Sequence, residues 1–295
     1  MPRSIHVLPI ILAALSVAWL ALAGCSRPQS QEGGGQEASG FLIIKGSDTM
    51  VHLVSDWAEA YMTAHPKANV SVTGGGSGTG FAALLNGTTD LCMSSRNIKP
   101  EEQELARKQD LKLEETVVGR DGIVIAVHPE NPIGSLTMEQ LEKIFTGAYT
   151  RWSEVGGPDE SIIVCSRESN SGTYVFFQEH VLNKKDFTPQ ARLLPANSAI
   201  VQAVTTDKNA IGYIGLGYAA QAGAAIKVLT VAKEASSPAI QPSLATVTSG
   251  EYPIARTLLF YAPQEKSAEE KSFIDFCLSA EGQTIVQETG YVPLS

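Results

Sequence analysis

The sequence predicts an α/β fold. From residue 41 onward, β-branched runs with strand alternation take turns with runs of helical period. The junctions from strand to helix concentrate glycine, serine and threonine. Strands separated by helices pair in parallel, because a parallel partner needs a long crossover to return the chain. The composition, 43% hydrophobic and 18% charged, is that of a soluble globular protein.

The first residues stand apart from that pattern. Arg3 gives a short positive start, and residues 5–22 are apolar except for His6, Pro9 and Ser16. Leu22-Ala23-Gly24-Cys25 closes the run. This is a signal peptide over residues 1–24, with a lipoprotein box that makes Cys25 the acylated residue. The competing reading is an uncleaved membrane anchor. Small residues and a cysteine, placed where processing requires them, favour cleavage. Residues 25–40 carry almost no apolar side chains and read as a lipidated, flexible tether.

The alternating elements begin at Phe41. Residues 41–44 form a strand, and Gly46-Ser47-Asp48-Thr49 leads into a helix bearing Leu53, Trp57, Ala60 and Tyr61. Residues 69–73 alternate like a strand. Gly74-Gly75-Gly76-Ser77-Gly78-Thr79-Gly80 then precedes a short helix with Phe81, Ala82, Leu84 and Leu85, which Gly87 can end. The buried run after Asp90 ends in Ser94-Ser95-Arg96, and Pro100-Glu101-Glu102 opens a charged helix. Residues 116–127 are a strongly β-branched strand, and residues 136–145 an amphipathic helix. The strand at 161–165 runs into Arg167-Glu168-Ser169-Asn170-Ser171-Gly172-Thr173 and a helix over 174–182. A helix with Ile200, Val201, Ala203 and Val204 follows, then strands at 210–215 and 254–262. A last helix over 267–281 is expected to turn Phe273, Phe276, Cys277 and Leu278 inward.

Three of these junctions share one chemistry. The first N–H groups of a helix have no partner inside it, and the helix dipole favours negative charge there. A single glycine-rich turn is equally well a plain tight turn. Three such starts together point to one oxyanion held by convergent donors. Ser47, Asp48, Thr49, Ser77, Arg167, Ser171, Gly172 and Thr173 are the candidates from these loops. Ser95 and Arg96 join them from the end of the Asp90 strand. For Arg96 two readings stay open, a ligand contact and a surface cap.

Removing Arg3 with the leader takes the formal charge from −9 to −10. An acidic chain lacks the basic surface that nucleic acid requires. Any anion it holds must be held by local dipoles and a few arginines. With Cys25 acylated, Cys92, Cys165 and Cys277 remain, each in apolar surroundings and none in a C-x-x-C pair. They are expected to be small buried hydrophobes, with one disulfide still possible.

Seven segments carry a family resemblance: the 74–80 glycine run, Ser94-Ser95-Arg96, Ile144-Phe145-Thr146-Gly147, Trp152-Ser153-Glu154-Val155-Gly156-Gly157, the segment from Ser166 to Thr173, Ala210-Ile211-Gly212-Tyr213 and Gly290-Tyr291-Val292-Pro293-Leu294. Through them the chain resembles, over about residues 43–294, the phosphate-binding proteins that serve ABC-type phosphate importers. The resemblance implies the two-lobed periplasmic-binding-protein type II fold, with two crossing hinge strands near 118–127 and 254–262. Lobe one would be 41–120 plus 260–295, lobe two 121–259, with phosphate between them. It places Thr49, the Met50 amide, Ser77, Arg167, Ser171 and the Gly172 and Thr173 amides on the phosphate. One departure stands out. Ser95, followed by Arg96, occupies the place where many relatives carry an aspartate. Asp48 is then the expected acceptor of the phosphate proton, against a competing role as cap of the helix starting at Thr49.

The resemblance also implies an exported lipoprotein at the cell envelope, a monomer that partners membrane permease subunits, and neither metal nor cofactor. A phosphate-sensing subunit, another oxyanion binder and a periplasmic phosphatase are the competing classes. Ester hydrolysis calls for a metal cluster or an activated nucleophile. The five histidines lie apart, none falls within the three loops, and Ser77 and Ser171 have no neighbouring base in sequence. A binding protein rather than an enzyme is expected.

Overall fold

The alternation that marks the first strand also seats it. Leu42 and Ile44 are buried, whereas Phe41, Ile43 and Lys45 are not. A computed structural model describes residues 41–294. The leader 1–24, the tether 25–40 with Cys25, and Ser295 lie outside the described residues. β1 (Phe41–Gly46) passes through one 3-10 turn, Asp48–Met50, into α1 (Val51–Ala64). β2 (Asn69–Thr73), α2 (Ser77–Leu85), β3 (Leu91–Ser94) and α3 (Pro100–Lys108) follow. β4 (Leu113–Val127) is fifteen residues long.

The middle of the chain holds β5 (Ser135–Thr137), α4 (Met138–Thr146), β6 (Ile163–Arg167), α5 (Gly172–His180) and β7 (Arg192–Leu194). It continues through α6 (Asn197–Thr206), β8 (Ala210–Gly215), α7 (Leu216–Ala222), β9 (Lys227–Ala232), β10 (Ala239–Ile240) and α8 (Leu244–Thr248). β11 (Ala255–Pro263), α9 (Ala268–Leu278) and α10 (Ala280–Glu288) bring it back.

Pairing is parallel at both ends of the strand order and antiparallel in the middle. β1 pairs parallel with β2 and β3, and β6 pairs parallel with β7 and β8. Between them β11 runs antiparallel to β3 and β4, and β4 runs antiparallel to β8. The all-parallel expectation therefore holds only for the strands that helices connect. β4 carries the chain from the first core to the second and β11 carries it back, so the two must oppose.

Those two strands are the crossings of a two-lobed fold. Residues 113–122 of β4 pair with β11, and residues 123–127 pair with β8. Val118 and Leu258 pack into a first core with Trp57, Tyr61 and Phe273. Ile123 and Ile125 pack into a second with Phe145, Phe177 and Tyr213, while Val124 and Ala126 face a third layer under α6. A strand buried on both faces explains why this stretch is continuously β-branched rather than alternating.

Three helix expectations change. Of the helix expected over 136–145, residues 136 and 137 belong to β5, and α4 begins at Met138. The glycine-rich turn is only residues 74–76, because α2 already begins at Ser77. The predicted helix 267–281 is two helices. Ser279 leaves helical geometry at ψ 166° and caps α10 by accepting from the Gly282 N–H at 3.2 Å. The break turns Leu278 outward, 38% exposed, while Phe273, Ile274 and Cys277 are buried. Cys92, Cys165 and Cys277 are buried and unpaired. Among the described residues no helix is long and apolar enough to cross a membrane.

Candidate functional site

The three serine-rich junctions, far apart in sequence, meet in space. Ser47 Oγ donates to Ser95 Oγ at 2.8 Å, and Ser77 Oγ lies 3.5 Å from Ser95 Oγ while accepting from the Ser95 N–H. Thr49 Oγ1 and Thr173 Oγ1 are 2.9 Å apart across 124 residues of chain. Ser47, Thr49, Ser77, Ser95, Ser171 and Thr173 are all buried. So many hydroxyls buried together, with few fixed acceptors, form a set of rotatable donors.

Each junction arrives by a different device. β1 ends at Gly46 and the 3-10 turn lifts Ser47 and Thr49 into the cluster; the Met50 N–H closes that turn on Ser47 O at 3.1 Å. Gly76, at φ +103°, adopts a conformation few side chains tolerate, and a Cβ there would meet Asn170 O at 2.7 Å. Ser171 caps α5 by accepting from the Tyr174 N–H at 3.4 Å. The Gly172 and Thr173 N–H groups, at the start of α5, have no acceptor within the helix. Gly172 admits no side chain, since a Cβ would sit 2.2 Å from Ser77 Oγ and 2.7 Å from Ser95 Oγ. The 74–80 and 167–173 loops also bond directly. Asn170 donates through Nδ2 to Gly75 O at 2.8 Å and accepts from the Gly78 N–H at 2.9 Å.

Arg167 is 1% exposed. Its Nε donates to Leu194 O and its Nη2 to Pro195 O, at 3.3 and 2.7 Å. Nη1 lies 3.2 Å from Asp48 Oδ2, an ion-pair distance, yet among the described residues no acceptor meets its N–H in hydrogen-bond geometry. Burial pulls the guanidinium below its ordinary pKa, and Asp48 opposes that pull.

Asp48 does not cap the helix that follows it. The 3-10 turn has Ser47 at its cap position without a side-chain bond. The Asp48 carboxylate instead reaches α6, where Oδ2 accepts from Asn197 N at 2.8 Å and Asn197 Nδ2 at 2.6 Å. Backbone polar groups nearby are also taken up, with Tyr218 donating to Asp48 O and Tyr291 to Thr49 O.

Arg96 turns away from the hydroxyl cluster. It is 5% exposed, so it is no surface cap. Its guanidinium turns to Glu102, at 2.6 and 2.8 Å, and lies over the Phe81 ring. The guanidinium that meets the hydroxyl cluster from this side is that of Arg256, which the sequence reading did not select. Arg256 Nη2 donates to Thr49 Oγ1 at 3.3 Å, and Nη1 donates to Ser95 O at 3.0 Å. Its counterion, Asp121, was also missed. Arg256 Nη2 and Nε contact Asp121 Oδ2 at 2.8 and 3.0 Å. Burial raises the Asp121 carboxyl, and Arg256 and the Leu216 N–H oppose the rise. An aspartate in the middle of a strongly β-branched strand was the available signal, since a buried carboxylate needs a partner.

Convergent hydroxyls, helix-start amides and a guanidinium with a free N–H suit a tetrahedral oxyanion, and Asp48 adds an acceptor. A family model described as a PBP superfamily domain matches residues 29–281. The phosphate-binding protein PstS of Pseudomonas aeruginosa is 33% identical over 284 residues, covering 90% of this chain and 86% of that protein. PstS of Staphylococcus epidermidis is 32% identical, covering 92% and 84%. Among solved structures, one from Clostridium perfringens with bound phosphate, assigned as a phosphate ABC transporter substrate-binding protein, superposes with a TM-score of 0.79 at 31% identity, covering 87% of this chain and all of that one. An ABC-type phosphate transport receptor from Vibrio cholerae superposes with a TM-score of 0.69 at 28% identity, covering 85% and 99%. The chain therefore belongs to the PstS family of phosphate-binding proteins, within the PBP superfamily.

Proposed function

We propose that this chain binds inorganic phosphate outside the cytoplasm and delivers it to an ABC importer. One observation carries the reading. Arg167 is buried beside Asp48 with an N–H that no atom of the described residues accepts, within a cluster of six buried hydroxyls. A planar guanidinium can grip two oxygens of one anion, and leaving its donor unmet is costly unless a ligand meets it. Thr49, Ser77, Ser95 and Ser171 donate hydroxyls to the ligand, Gly172 and Thr173 donate amides, and Ser47 and Met50 shape the first loop. Asp48 accepts the proton that phosphate keeps at neutral pH.

The lobes taking part are 41–120 plus 260–295 and 121–259. They close over the anion in the arrangement that Asn170 fastens, and the closed form docks on the permease subunits. Substrate-binding proteins are a non-enzymatic class, and this chain acts without catalysis, as a monomer. The leader 1–24 directs export, Cys25 anchors the mature chain to the envelope membrane, and 25–40 tethers the domain.

Calorimetric titration tests the reading. Phosphate is expected to bind tightly with one-to-one stoichiometry, and arsenate, of the same shape and protonation, to compete. Tighter binding of sulfate, molybdate or an organic phosphate overturns the assignment, and turnover of a chromogenic phosphate ester overturns the non-enzymatic reading.

A further inference from the structure

A cavity of about 360 Å³ adjoins the hydroxyl cluster and shares Arg256 with it. Arg96 and Arg120 line it from the β3 end and from β4. The opposite wall is α5, whose first residues belong to the cluster and whose later turns supply Phe176, Glu179 and His180. The cavity thus runs outward along α5 from the place where the oxyanion is held.

Its charges are unevenly matched. Arg256 is matched by Asp121, and Arg96 by Glu102. Arg120 is exposed, and among the described residues its side chain meets neither an acceptor nor a carboxylate. Arg96 is 5% exposed, and its Nε likewise has no acceptor. Unmet guanidinium donors therefore occur at an exposed and at a buried position of the same cavity. Glu179 opposes them. His180 stacks on Phe176 and keeps its Nδ1 on Phe176 O.

We propose that this cavity is a capture site for inorganic phosphate, which docks on Arg120 and the free donors before passing Arg256 into the buried cluster. The proposal rests on the phosphate-binding reading. Its physical purpose follows from the formal charge of −9, which repels an anionic ligand at long range. A local cation at the mouth offsets that repulsion. Such rim charges act on association and its salt dependence rather than on dissociation.

Rapid-mixing kinetics of phosphate binding to the full chain at low salt tests the capture site. Arg120→Ala is expected to slow association by roughly three- to tenfold, and Arg120→Glu by more, with dissociation changed by less than about twofold. Arg120→Lys should retain most of the rate, and Glu179→Gln should raise it. Salt at about 0.5 M should remove these differences. If the wild-type chain binds phosphate while the Arg120 and Glu179 variants associate at its rate, the capture site is wrong and the phosphate assignment stands. A slowing that persists unchanged at high salt, or that appears as faster dissociation, also overturns it. A wild-type chain that binds no phosphate overturns both.

Discussion

Arg256 and Asp121, 135 residues apart in sequence, form a buried ion pair at 2.8 Å that also reaches the hydroxyl cluster through Thr49. Removing one partner strands the other charge in the interior. Asp121→Asn and Arg256→Met are each expected to lower unfolding stability by about 3–5 kcal/mol. Replacing both with apolar residues should cost much less than the two losses added. Urea unfolding of the four proteins measures the coupling, and strictly additive losses would show that the pair does not act as a unit.

Arg167 makes its own prediction. Arg167→Ala should leave the fold largely intact and weaken phosphate binding by roughly 2–5 kcal/mol, the range for truncating one partner of a buried charge contact. Calorimetry decides it. An affinity within about threefold of wild type, well under 1.4 kcal/mol, would make Arg167 a packing residue.

Asp48 bears on selectivity. Phosphate keeps a proton at neutral pH and sulfate keeps none, so an acceptor in the site favours phosphate by leaving sulfate opposed and unpaired. Oδ2 already serves Asn197, and the second oxygen remains for the ligand. Titrated with both anions across pH 5 to 9, Asp48→Asn should lose phosphate affinity and narrow the gap to sulfate. Equal weakening of both anions would mean that Asp48 only positions Arg167.

The thiols give a pH prediction. Burial raises all three, and it pushes Cys165 from 9.0 to about 11. A thiol whose folded pKa is raised favours the native state while protonated. That contribution is whole below pH 9 and is lost as pH rises toward 11. Unfolding stability should therefore decline through this window. Iodoacetamide at pH 8 should label none of Cys92, Cys165 and Cys277 until denaturant is added; rapid labelling of the native chain would contradict their burial.

Local chemistry was the legible part of this sequence. Residues 69–73 read as a strand and are β2, and the three Ser- and Thr-rich junctions that were singled out do converge. Their backbone roles depend on residues a few positions apart. Asp121 and Arg256 were not legible in the same way, because their partnership arises only when β4 and β11 cross. Asn197, which holds Asp48 from the start of α6, was hidden for the same reason. Strand β9 went unread between a small-residue run and a polar loop, although Val228, Leu229, Thr230 and Val231 are strand-favouring residues. Ser279 shows the limit of periodicity: the apolar spacing continues through it, and only its cap bond ends the helix.

The shared strand β4 carries a mechanical consequence. Its first ten residues are stitched to β11 and its last five to β8, and at the junction Ile123 also donates its N–H to Ile254 O just before β11. Gly119 and Gly122 both lie just before the handover, and Arg120 between them is pinned by the backbone bridge to Val292. Rotating one core against the other therefore loads this ribbon in torsion, with both stitched ends acting as grips. Stiffness of opening would then be set by a handful of dihedral angles near residues 119–123, and a bulkier residue at Gly122, where a Cβ meets Val247 at 2.8 Å, would act as a wedge against the twist.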